Sequence, residues 1–121
     1  MAKPAYWQSK VYGLAFQSAM HIYNISTGWP ADEINSLTAP ARRAARMVCV
    51  RIAEAWQRRN DLPRFVEKLG EAYSPMVETI VWLEFANESG NMPESEFQQL
   101  HKNYNDMLVF MGRLMADPTN W

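Results

Sequence analysis

The chain has 121 residues, 48% of them hydrophobic and 21% charged, with a net charge of -1. That size and content suit one domain built around one core. The near-neutral balance excludes a polyanion grip spread over the whole surface, so any such grip must be local.

Apolar spacing predicts helices over roughly 4–26, 38–60, 62–88 and 94–116, with no useful strand-type alternation. In the first, Pro4 fits an opening turn, and Trp7, Val11, Leu14, Ser18, Ile22 and Ile25 follow the helical period. Phe16, Ala19, Met20 and Tyr23 are apolar on a second side, and "STGWP" ends the helix. Residues 30–37 read as a short turn or half-helix, with Thr38 as an N-cap and Pro40 tolerated in the turn that follows. The second helix carries Ala41, Ala45, Val48, Ile52 and Trp56 as its core stripe, with Ala44 and Ala55 as small shoulders.

"NDLP" breaks the chain, and Asn60 or Asp61 can cap the third helix. Phe65, Leu69, Ala72, Met76, Ile80 and Leu83 form its stripe, with Pro75 predicting a kink. Gly90 marks the next stop, and Asn91 or Ser95 is the expected cap of a fourth helix carrying Phe97, Leu100, Tyr104, Met107, Leu108, Met111, Leu114 and Met115. Long helices with short connections predict an all-α fold, an antiparallel up-down-up-down four-helix bundle in a single domain. Phe16, Tyr23, Met47, Val50, Val81, Trp82 and Phe85 lie off the main stripes. A soluble monomer rarely exposes that much apolar surface, so the expected partner is a second copy of the chain.

The residues carry no recognisable catalytic constellation. Neither His21 nor His101 has a glutamate three residues before it, as a carboxylate-bridged metal centre in a bundle requires. The glycines are scattered rather than gathered in a phosphate loop. Cys49 is the single cysteine, in the middle of an apolar run, and reads as a buried small hydrophobe that suits a reducing compartment. No enzyme activity, metal or cofactor is expected. Nor does any run approach the ~18 apolar residues of a membrane span, and no signal core appears, so the expected location is the cytoplasm. Trp121 is expected either to dock into a neighbour or to be disordered.

Charge is unevenly spread. Arg42, Arg43, Arg46, Arg51, Arg58, Arg59 and Arg64 fall within residues 42–64, whereas Glu67, Glu71, Glu78, Glu84, Glu88, Glu94 and Glu96 follow. The favoured reading pairs the basic helix with the acidic one, within a subunit or across a boundary. Arg43, Arg51, Glu54, Arg58 and Glu78 are the candidate structural or interface charges, with Arg43 and Glu54 expected near the core boundary and Glu78 and Arg58 as their partners. The alternative is nucleic-acid binding through arginines left free, with Arg42, Arg46, Arg59 and Arg64 as candidate contacts.

Several blocks resemble one family. Pro30, Glu33, Leu37 and Thr38 form P-x-x-E-x-x-x-L-T, followed by Arg42-Arg43-Ala44, the I-A-E-A run Ile52–Ala55, F-V-x-x-L at Phe65–Leu69, and Ala72, Ser74 and Glu78 in A-x-S-x-x-x-E. These are similar to the four-helix bundle proteins encoded in intervening sequences of bacterial 23S rRNA genes, over about residues 5–116. Ala55 stands where that family usually has glycine, Arg51 where it has asparagine, and Pro40 where it has glutamine. The resemblance implies a left-handed antiparallel bundle that assembles into a ring, commonly a homopentamer. It also implies a fold related to the accessory proteins of diversity-generating retroelements, which are strongly basic and bind a reverse transcriptase and nucleic acid.

Overall fold

The computed structural model describes residues 5–119. Its main elements are α1 (Lys10–Ser26), α2 (Ala39–Trp56), α3 (Leu62–Gly70), α4 (Tyr73–Glu88) and α5 (Glu94–Ala116). No strand occurs among the described residues. α1 packs on α2 and α5, and the α3–α4 pair packs on the same two helices from the opposite corner. The result is an all-α four-helix bundle in which α3 and α4 together make one corner. Cross-links along α1 and α5 run in opposite senses: His21 meets Glu96, while the earlier Ser18 meets the later Asn103. The two helices are therefore antiparallel.

Local chemistry moves several boundaries. α1 starts at Lys10, because the Ser9 hydroxyl accepts from the Tyr12 amide at 3.2 Å and so caps the helix there. Trp7 sits before the cap in a 3₁₀ turn and is 64% exposed, rather than on the core stripe. The expected opening turn at Pro4 lies outside the described residues, as does Trp121. Thr38 does not cap α2. Its backbone is already helical (φ -63, ψ -56), and its buried hydroxyl has no hydrogen-bond partner among the described residues. One 3₁₀ turn (Ala31–Glu33) and one π turn (Ile34–Thr38) lead straight into α2 instead. Asp61 caps α3, accepting from the Arg64 amide at 3.4 Å. At α5 the capping position belongs to Pro93, not Asn91 or Ser95; it has no side-chain acceptor, and Glu94 and Glu96 offset the positive helix end.

The kink expected at Pro75 becomes a break just before it. The Glu71 and Ala72 amides bond the Lys68 and Leu69 carbonyls, three residues back, at 3.1 and 3.0 Å. Restarting the helix at Tyr73 puts Pro75 in a first turn, where its missing N–H lacks an intrahelical acceptor anyway. The Thr79 hydroxyl then donates to the Pro75 carbonyl at 2.7 Å inside the core.

The stripes expected on the second and third helices are all buried, and so are most of the residues expected on the fourth. On α1 the buried face is Val11, Ala15, Ser18, Ile22 and Ser26, with Leu14 and Ile25 at its half-buried edge. Ala41, Ala44, Ala45 and Ala55 leave α2 slender on its buried side, which lets its neighbours approach closely.

α4 ends in a Schellman turn. Gly90 adopts φ +73, its amide bonds Asn87 O at 3.1 Å, and the Asn91 amide bonds Ala86 O at 2.9 Å. Nothing lies within 4 Å of where a Cβ would stand, so Gly90→Ala tests backbone strain alone. It should destabilise the fold by about 1 kcal/mol. An unchanged urea midpoint would show that the turn relaxes.

Candidate functional site

The arginines meet different fates. Arg42 is tied to the end of α1: its Nε donates to Ser26 Oγ at 2.8 Å, its Nη2 donates to Tyr23 O at 3.4 Å, and its guanidinium lies 4.6 Å from the Tyr23 ring centre. It answers the negative end of that helix. Arg59 does the same for its own helix, donating to Trp56 O at 3.0 Å and covering the Trp56 ring. Arg51, itself half-buried, meets the exposed Glu54 at 3.1 Å within α2. Arg43, Arg46, Arg58 and Arg64 have exposed side chains in no ion pair among the described residues.

Within the chain Glu54 is therefore not at the core boundary and pairs with Arg51 rather than Arg58, and Arg43 forms no ion pair with Glu78. Small apolar residues fill the buried face of α2, so both Arg43 and Glu54 turn outward. Glu78 is exposed and accepts from the Trp82 indole at 3.3 Å. No ion pair among the described residues joins α2 to α3 or α4. The complementary charges do not meet inside one chain.

Two surfaces gather most of the surplus apolar residues, while Trp7, Ile34, Leu62 and Val109 are exposed elsewhere. Between α1 and α2 runs a groove of about 260 Å³, walled by Tyr12, Phe16, Met20, Tyr23 and Val50 with Cys49 at its floor. Tyr12 and Phe16 stack with centroids 6.0 Å apart. Arg46 stands at its rim, and Arg42, Arg43 and Arg46 continue into an adjoining cleft of about 350 Å³ with Met47. The second surface is a ridge on α4, where Val77, Val81 and Phe85 are all exposed. At four-residue spacing they share one line, flanked by Glu78 on one side and Glu84 and Glu88 on the other. Val77 is not among the apolar residues singled out by the sequence pattern, although its four-residue step to Val81 signals the shared line.

Cys49 is buried, its thiol 3.9 Å from Ala45 O, and burial pushes its pKa up to about 11. The thiol should react with Ellman's reagent at pH 8 about a hundredfold slower than an ordinary cysteine, since two pKa units remove that much thiolate. Urea should abolish the difference, and fast labelling of the native chain would refute the burial. The same shift has a pH signature. A raised folded pKa supports the fold fully below the unfolded value of 9.0 and is lost as pH rises through about 11. Burial also raises the pKa of Tyr104, whose side chain is fully enclosed in the core.

His21 lies 3.2 Å from Glu96, while His101 packs on Phe97 and meets Asn105 at 3.0 Å. Among the described residues, no three His, Cys, Asp or Glu side chains are grouped to hold a metal ion. No helix there is long and apolar enough to cross a membrane. What the surface offers is one basic, aromatic groove and one acidic, apolar ridge on different corners of the bundle. Those features suit the recognition of macromolecules.

No curated protein shows significant similarity to the chain. A family model described as the 23S rRNA-intervening sequence protein matches residues 8–112. That span takes in α1 to α4, all but the last turn of α5, both apolar surfaces and the arginine-rich α2. The chain belongs to the 23S rRNA-intervening sequence protein family.

Proposed function

We propose that this protein is a non-enzymatic, cytosolic helical bundle that assembles with copies of itself into a closed ring, a pentamer, and serves there as a scaffold for other molecules. The observation that carries this reading is the pair of exposed apolar surfaces of opposite charge on different corners of one bundle. Two different patches that suit each other make a head-to-tail contact, and such contacts close into rings when the rotation allows. Light scattering coupled to size exclusion at micromolar concentration tests it. A mass five times that of the chain supports the pentamer, another closed multiple corrects the number, and a monomer removes the reading.

A second reading is an accessory protein that binds nucleic acid through Arg43, Arg58 and Arg64, whose side chains are exposed and form no ion pairs among the described residues. Filter binding with RNA and DNA at low salt tests it. Retention that falls steeply with salt supports phosphate contacts, and no retention of either removes them.

A further inference from the structure

We infer that the α4 ridge of one copy seats in the α1–α2 groove of the next, with Phe85 as the side chain that fills it. This rests on the self-assembly reading and names its contact. Phe85 is 57% exposed, the most exposed aromatic side chain of α4, and it stands at the end of the Val77–Val81–Phe85 line. The groove offers about 260 Å³ walled largely by aromatic and aliphatic side chains. A cavity of about 150 Å³ already accepts benzene, so a phenyl ring fits with room for its approach.

Charge decides which surfaces meet. Groove against groove would bring Arg43 and Arg46 of one copy against the same residues of another. Ridge against ridge would do so with Glu78, Glu84 and Glu88. Both like-charge pairings are unfavourable, whereas ridge in groove sets those acids against those arginines. The arrangement also explains why α2 and α4 carry opposite charge yet share no ion pair within the chain. Arg46, at the groove rim, is then used by the contact, and Arg58 and Arg64 lie away from the groove lining.

Complementation of two blocked variants tests the inference. Phe85→Glu spoils the ridge and Phe16→Glu spoils the groove; both positions are exposed, so folding should survive, as circular dichroism would verify. Each variant alone should be monomeric, its self-association at least about thirtyfold weaker than that of the native chain. An equimolar mixture should give a one-to-one heterodimer that grows no further, because only one intact groove and one intact ridge remain. Phe85→Leu should keep the native size. A native oligomer whose size is untouched by Phe85→Glu overturns the inference and leaves self-assembly standing. Variants that stay monomeric when mixed also overturn it. A native monomer removes both, and the groove would then belong to a different partner.

Discussion

Phe65→Ala should lower unfolding stability by about 3–5 kcal/mol, a large share of the roughly 5–15 kcal/mol of a domain this size. α3 has only 9 residues, and Phe65 and Leu69 are its buried side chains. A helix that short is not stable alone in water, so it holds its shape only while those anchors are docked. Truncating Phe65, 1% exposed, leaves a cavity and halves the anchorage. Urea denaturation should show the lost stability. Hydrogen exchange should show residues 57–72 opening before the rest of the bundle. A midpoint within about 0.5 kcal/mol of native would mean that α3 is held by something other than its core contacts.

Arg42→Ala should cost about 1–3 kcal/mol, whereas Arg43→Ala should change stability by less than about 0.5 kcal/mol. The two arginines are adjacent in sequence but sit differently. Arg42 is half-buried, makes two hydrogen bonds to the end of α1 and covers the Tyr23 ring, whereas Arg43 is exposed. Arg42→Lys should recover little, because an ammonium cannot supply the Nε bond and the flat stacking together. Equal melting behaviour of the two alanine variants would show that the Arg42 contacts contribute nothing net. If nucleic acid is bound, Arg43→Ala should reduce the salt dependence of binding with no loss of stability. That separates a phosphate contact from a structural one.

Much of the architecture is legible in the spacing of apolar residues. The stripes on residues 41–56 and 65–83 are buried as their spacing predicts, because a helix repeats its faces with a fixed period whatever surrounds it. Asp61 and Gly90 act where expected for an equally local reason, a cap and a left-handed turn. The structure departs from the local pattern where two local rules compete. Thr38 has the right chemistry for a cap but sits inside a run of helical turns, and Ser9 displaces the start set by Pro4. Pro75 was expected to bend a helix, yet a restart two residues earlier satisfies its backbone with less strain.

Periodicity and breakers along the chain set four corners of helix, the breaks between them, a basic α2 followed by acidic residues, and a surplus of apolar side chains. Which arginines are consumed, and where that surplus emerges, follows from how the helices pack. Arg42 finds Ser26 from 16 residues away, and His21 meets Glu96 from 75 away. Periodicity assigns a residue to a face of its own helix; it does not say which neighbour or how much solvent that face meets. That depends on which helices pack side by side, and here the packing leaves a basic groove at one corner and an acidic ridge at another.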